Sequence, residues 1–337
     1  MFKYILRRLG LMVVLLFGVS LMVFLISHLV PSNPVSANLS QTAMADPEIV
    51  AAYEAKWGLD KPLYEQYFIY LGNILKGDLG TSIRTGRPVL DELAQYFPAT
   101  VELSVFAMLI AIILGVLFGV ISAVFRNKPV DQILRAISVS GVSLPSFWFA
   151  LLIMTVFCRN LGWFPSGGRI NPRIYSPTGG TGLYVFDALS WGDFGMLADT
   201  LQHLFLPALV LGFFTMGLIT RQTRSNLLET MSMDYIRTAR SKGMSEGRVV
   251  CGHALNNALI PVITVTGMGF CNLLGGMVFV EQIFSWPGIG QYAYLAATNL
   301  DFPAICGVSL LIAFTYVVIN LLIDILYGVI DPRIRYQ

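Results

Sequence analysis

Charge is what this sequence has least of. Only 12% of its 337 residues are Asp, Glu, Lys or Arg against 55% hydrophobic, and the mean hydropathy is +0.68, a balance that excludes an ordinary soluble domain. Histidine is scarce: His28, His203 and His253 are the whole complement, each at a segment end, and they form no ligand-like cluster for nickel or haem. The four cysteines, Cys158, Cys251, Cys271 and Cys306, lack metal or redox spacing. They lie in or beside different apolar segments and read as small core residues. No Gly-x-x-x-x-Gly-Lys-Ser/Thr loop occurs, so the chain cannot cradle nucleotide phosphates in that mode. Ser-x-His, His-Glu-x-x-His and paired intramembrane aspartates are also missing, and an intramembrane enzyme would need one of them.

What is present is apolar length. Runs near residues 9–30, 101–125, 135–158, 203–222, 258–280 and 304–329 are each long enough to cross roughly 30 Å of hydrocarbon, which takes about 20 helical residues. They are continuous and rich in Leu, Ile, Val, Phe, Gly and Ala, unlike the alternating segments of a β-barrel. The expected class is an all-α membrane protein with six transmembrane helices. Residues 1–30 carry the first helix, 31–98 a long loop, and 99–337 a five-helix core. The first run follows Lys3, Arg7 and Arg8 in the manner of a signal peptide, but Leu9–Val30 is too long for a cleaved apolar region and reads as a retained helix.

Lys and Arg beside membrane helices are retained on the cytoplasmic side. With the N-terminus inside, fourteen of the 22 basic residues fall in cytoplasmic segments, from Lys3 through Arg126 and Arg224 to Arg333 and Arg335. An even number of spans then returns the C-terminus inside. Trp57, Trp163, Trp191 and Trp286 are expected near the outer interface, and Trp148 lies within a span.

In the 31–98 loop, the segments beginning at Pro62 and Pro88 place apolar residues such as Val89, Leu93 and Tyr96 at helical spacing. They predict short amphipathic helices on the outer membrane surface, separated by a turn at Gly77–Gly80. The loop 159–202, with Pro172, Pro177, Gly179, Gly180 and Gly182, is expected to be mostly irregular.

The segment 223–257 is a polar, basic island between apolar runs. Asp234–Lys242 is helix-permissive, Gly243 is placed to end the helix through a left-handed cap, and Ser245 can cap the next helix. A helix of about nine residues spans roughly 13 Å, too short and too polar to insert, so it would lie along the cytoplasmic face and present Arg237, Arg240 and Lys242. From charge alone the plainer reading is preferred: a solvated basic loop that obeys the positive-inside distribution.

The residues themselves shift that balance. Tyr235-Ile-Arg-Thr-Ala-Arg-x-Lys-Gly243 resembles the coupling loop of binding-protein-dependent ABC importer permeases, in the form carried by the dipeptide, oligopeptide and nickel branch. Arg237-Thr238-Ala239 stands where the general motif has Glu-Ala-Ala, with Gly243 as the matching glycine. The resemblance continues through Tyr4-Ile-Leu-Arg-Arg-Leu, Gly58-Leu-Asp-Lys-Pro-Leu, Gly77-Asp-Leu-Gly, Arg87-Pro-Val, Glu281-x-x-Phe-Ser-Trp-Pro-Gly-Ile-Gly290 and Asn320–Arg335. The chain resembles the first of that branch's two permease subunits, the B-type. Pro31-Ser-Asn-Pro34 departs from the family's usual Pro-Gly-Asp-Pro.

The resemblance implies a type I ABC importer permease fold and one half of a translocation path. It implies pairing with a second homologous permease, two ATP-binding subunits that hold the ATP and Mg, and an external solute-binding protein. It gives this chain no cofactor and no nucleic-acid partner. Di- or oligopeptides would be the cargo, with a nickel chelate, glutathione or a small glycan as alternatives. The ATPase-coupling residues would be Asp234, Tyr235, Arg237, Thr238, Ala239, Arg240, Gly243, His253, Ala254, Asn257 and Pro261, with the 234–261 hairpin entering a groove of the ATPase. Arg237 and Arg240 would be candidates for ion pairs or carbonyl contacts across that interface.

Polar residues in spans are costly and face protein or water. Glu102 and Glu281 could lie near a charged peptide terminus, but helix capping or contact with interfacial water is the preferred reading. Asp324, one turn after Asn320, would fix helix packing or pair with a cytoplasmic arginine. Asn272 with Gly267, Gly269, Gly275 and Gly276 makes helix five small-faced, so Asn272, Gly275 and Glu281 are the candidate path residues. A stand-alone channel or secondary transporter also has six spans, but no inverted repeat or paired broken helix is visible and the basic loop would be unexplained.

Overall fold

The computed structural model describes residues 2–29, 35, 39, 41–175, 179–275 and 278–330. Among these, helix dominates, and the only extended pairing is an isolated bridge between Thr81 and Pro88. The helices used below are α1 (Phe2–Leu29), α2 (Pro47–Trp57), α3 (Leu63–Leu75), α4 (Val89–Val124), α5 (Pro129–Ser143), α6 (Ser146–Ile153), α7 (Tyr184–Trp191), α8 (Phe194–Met231), α9 (Asp234–Ser241), α10 (Leu255–Leu274), α11 (Val278–Ile283), α12 (Ile289–Thr298) and α13 (Phe302–Ile330). Among the described residues, five segments are long and apolar enough to cross a membrane, and a sixth if α5 and its successor count as one bent span.

The chain forms two compact units, Met1–Thr100 with Pro287–Gln337, and Val101–Trp286. In the first, α1 packs along α13, and α3 lies against α1 through a 2.8 Å bond between Ser20 Oγ and the Tyr67 hydroxyl. The rings of Phe17 and Phe24 meet Tyr67 edge-on at 5.4 Å. Lys56 on α2 holds Asp78 at 2.6 Å in the Gly77–Gly80 turn. Burial opposes the charge on Asp78, but hydrogen bonds from Lys56 and the Gly80 N–H keep its carboxyl below the usual range. Asp301 accepts from Ser82 Oγ, Arg84 N and Ala304 N, so one buried carboxylate both caps the start of α13 and fastens the 82–84 loop to it.

The structure corrects several expectations. The segment after Pro88 is no separate surface helix: it is the opening of α4, which runs unbroken to Val124 with Pro98 inside it. Val89 and Leu93 do not face a membrane surface but are buried against Ile289, Tyr292, Ala304 and Val308, and Tyr96 stacks on Tyr292 at 4.9 Å. The expected third span, 135–158, is instead two helical segments, Pro129–Ser143 and Ser146–Asn160, bent by 110°. Pro145 sits at the break, where it disfavours helix in the preceding Leu144 (ψ 140°). The fourth expected span lies within α8, which is far longer than 203–222. The 159–202 loop is correspondingly shorter and contains α7. The fifth span ends at Leu274, with α11 as a separate short helix rather than a continuation to 280.

Trp286 is fully buried rather than interfacial. Of the cysteines only Cys271 is buried, and Cys251 is exposed. Pro31–Pro34, Gly276, Arg333 and Arg335 lie outside the described residues, as do the side chains of His28 and Asp324.

In the second unit α8 is the central helix, and glycine lets its neighbours approach it closely. A Cβ on Gly217 would lie 2.5 Å from the Ser138 carbonyl oxygen on α5. A Cβ on Gly119 of α4 would lie 2.5 Å from Thr223 Cβ, and one on Gly269 of α10 would lie 2.9 Å from Thr215 Cγ2. Gly269 therefore serves helix packing rather than an open passage.

Candidate functional site: the hairpin after the fourth long helix

Residues 232–257 fold as a helical hairpin because their pattern is strongly two-sided. On α9, Ile236 and Ala239 are buried, one turn apart, whereas Asp234, Tyr235, Arg237, Thr238 and Arg240 are exposed. The buried pair joins Val249, Val250, Ala254 and Ala258 of the returning segment, and Ala123 and Leu227 from the ends of α4 and α8. The hairpin thus has an apolar seat beneath and a polar face above.

Gly243 makes the turn. Its φ is +77°, its N–H bonds the Arg240 carbonyl at 2.9 Å, and the next N–H, of Met244, reaches back to Ala239 at 3.4 Å. This pair of bonds is the Schellman termination, and it needs a left-handed residue at this position. Met244 also packs on the same apolar cluster. Ser245 occupies the expected N-cap position but makes no side-chain cap bond.

The return proceeds through a π-helical stretch, Val249–Ala254, into α10. Asn257 Nδ2 donates to the Tyr235 hydroxyl at 2.8 Å and ties the two arms together. Arg240 is engaged within the hairpin, its Nε and Nη2 donating to Glu246 at 2.7 and 3.2 Å. Arg237 is 3.7 Å from Asp234, with both side chains largely in the open, a geometry worth little in stability.

Of the residues singled out from sequence, Ala239 and Ala254 are buried on the hairpin's apolar face. Asp234, Tyr235, Arg237, Thr238, Arg240, Gly243, His253, Asn257 and Pro261 are exposed.

Asn272 is exposed on α10, Gly275 is the cap after α10, and Glu281 is 1% exposed inside the second unit. Glu281 therefore reaches no interfacial water, and Glu102, also buried, does not either. Glu102 has a partner that sequence reasoning missed: Arg169 Nη2 donates to Glu102 Oε2 at 2.6 Å and to the Gly182 carbonyl at 2.8 Å. Glu102 Oε1 accepts from Val185 N in the first turn of α7. The Arg169 guanidinium lies 3.8 Å from the centre of the Tyr184 ring, with Trp286 beyond. Along the chain Arg169 reads as one more loop cation. No local signal marks it, since its partner is 67 residues away.

One span broken by a sharp bend, a central helix with close glycine contacts and a polar hairpin on an apolar seat define a helical membrane component. The comparisons give the class. The model for binding-protein-dependent transport system inner membrane components matches residues 115–336, and the N-terminal model for the same transport-system membrane components matches residues 1–104. The chain belongs to this family, and is a multi-pass protein of the cytoplasmic membrane.

Within the family it is 45% identical to the dipeptide transport system permease of Alkalihalophilus pseudofirmus over the full length of both chains. It is also 45% identical to the probable D,D-dipeptide transport system permease of Escherichia coli strain K12, covering 96% of this chain and 94% of that one. The glutathione transport system permease of Escherichia coli O6:H1 is 38% identical over the full length of both. A solved structure of the MetNI methionine ABC transporter in inward-facing conformations aligns with a TM-score of 0.51 at 16% identity, covering 71% of this chain and 96% of that one. It shares the fold.

Proposed function

We propose that this chain is one of two permease subunits of an ATP-driven importer, that it moves di- or oligopeptides, and that the 234–261 hairpin is where a separate ATPase docks. The observation that carries the docking reading is the two-sided hairpin: its apolar face is consumed by the seat on α4 and α8, leaving Tyr235, Arg237, Thr238 and Arg240 to face a partner. The peptide reading rests on the full-length relatives at 45% identity.

In this reading both termini are cytoplasmic, a second permease completes the path, and an external binding protein delivers cargo. ATP and Mg reside in the partner subunits, and this chain is no enzyme. Closure of the ATPases would tilt the permease between inward- and outward-open states. Asn272, exposed on α10, is the path candidate that this reading retains.

Gly243 tests the hairpin directly. A Cβ there would meet nothing within 4 Å, so the cost of a substitution comes from backbone conformation alone, roughly 1–2 kcal/mol for an ordinary residue and more for a β-branched one. Gly243→Ile is expected to abolish copurification of the ATPase while membrane insertion persists, and Gly243→Asn, which tolerates the left-handed region, to retain most of it. Mass spectrometry of what copurifies after gentle detergent extraction checks both. Normal assembly and transport in Gly243→Ile would show that the hairpin is not the dock.

A further inference from the structure

The end of the second unit that carries the hairpin holds a buried ionic knot. Asp131, in the first turn of α5, is fully buried. Arg224 of α8 grips it with both prongs, Nε to Oδ1 and Nη2 to Oδ2, each at 2.9 Å. Ser122 Oγ, in the last turn of α4, donates to Oδ1 at 2.5 Å, and Asn127 N, in the α4–α5 turn, donates to Oδ2 at 2.8 Å. Arg135 Nε stands 3.5 Å away as an outer partner. Asn127 itself has φ +64°, so the carboxylate holds a turn shape that an unsupported chain would seldom adopt. One side chain thus joins the end of α4, the turn after it, the start of α5 and the flank of α8.

The position of this knot matters more than its strength. Ala123 and Leu227 form part of the hairpin seat. The first is the residue after Ser122 and the second lies one turn beyond Arg224. A displacement of the hairpin is therefore delivered to α4 and α8 beside the two residues that bind Asp131. Further along, α4 and α8 touch at Gly119 and Thr223, and α8 and α5 at Gly217 and Ser138, so the three helices are already close-packed. Asp131 closes the near end of that block.

We propose that Asp131 and Arg224 are positioning residues for transport, binding the bent third span to the hairpin's seat so that hairpin movement is passed into α5 and α6 instead of being lost at the α4–α5 turn. This rests on the reading of the hairpin as the ATPase dock. The two residues differ in what their loss leaves behind. Without Asp131, the Arg224 side chain, 20% exposed, can still reach water. Without Arg224, a wholly buried carboxylate loses its main counter-charge, the costlier outcome. Asp131→Asn is therefore the informative variant, and Arg224→Lys, which keeps the charge but loses the two-pronged grip, is the second.

The test uses the complete transporter in proteoliposomes, with its binding protein and a radiolabelled dipeptide that the unaltered complex imports. Copurified ATPase, ATP hydrolysis and peptide imported per ATP hydrolysed are measured. Asp131→Asn is expected to keep ATPase docking and hydrolysis within about twofold while import per ATP falls about tenfold, with Arg224→Lys intermediate, in the range of ordinary coupling energies. A purely structural role would lower complex yield, hydrolysis and import together and leave the ratio unchanged. That result, or failure of both variants to assemble, overturns the proposal. Gly243→Ile run in parallel separates the two readings. If it keeps the ATPase bound, the dock is elsewhere. If it loses the ATPase while Asp131→Asn keeps a normal ratio, the dock stands and the positioning role falls.

Discussion

Arg169→Ala is expected to destabilise the purified chain by about 3–5 kcal/mol, because removing one partner of a buried pair strands the other charge. Glu102 and Arg169 are 4% and 6% exposed. With Arg169 gone, Glu102 keeps only the Val185 N–H among its described partners. The loop also loses the Gly182 carbonyl bond and the stacking on Tyr184. The double variant Arg169→Ala with Glu102→Gln is expected to recover part of the loss, since a neutral amide is cheaper to leave buried than a carboxylate. Thermal or denaturant unfolding in detergent, read as a double-mutant cycle, gives the pair's interaction energy. A loss below about 1 kcal/mol for the single variant would class the pair with solvated surface bridges and contradict its burial.

The second large effect lies in the helix crossings. Gly217→Leu is expected to separate α5 from α8 and prevent a folded product, and Gly217→Ala to cost about 1–3 kcal/mol, as overpacking does. The obstacle is the Ser138 carbonyl oxygen, 2.5 Å from where the Cβ would be, and backbone cannot swing aside as a flexible side chain can. Gly72 on α3 is the contrast. Nothing lies within 4 Å of its Cβ position, so Gly72→Ala is expected to be neutral or to gain up to about 1 kcal/mol from helix propensity. Comparing the unfolding midpoints of the three variants decides the matter. Equal stability of Gly72→Ala and Gly217→Ala would mean that the α5–α8 approach is looser than the structure has it.

The prolines show where local reading stops. Pro98, Pro207 and Pro261 all sit inside continuous helices, whereas Pro145 stands at a 110° bend. The residue type is the same and its intrinsic penalty in a helix interior is about 3 kcal/mol. Whether the penalty is absorbed depends on packing. Val89 and Leu93 are buried on α12 and α13, so the segment that reads as a surface helix has its apolar face packed inside the protein.

Membrane class, approximate spans, family and hairpin are all legible in the chain alone. Each is written in contiguous residues: in apolar length, and in a helix-permissive stretch whose exposed and buried positions alternate with helical spacing and stop at a glycine able to hold φ +77°. Which charges are buried and paired is settled only in three dimensions. Glu102 meets Arg169 across 67 residues, and Asp131 meets Arg224 across 93. The physical reason is that ion pairing depends on distance in space and on local dielectric, and neither is encoded near the residues concerned. Read along the chain, Arg169 and Arg224 are two more basic residues among twenty-two; in the folded protein one fastens a loop to Glu102 and the other grips the buried Asp131.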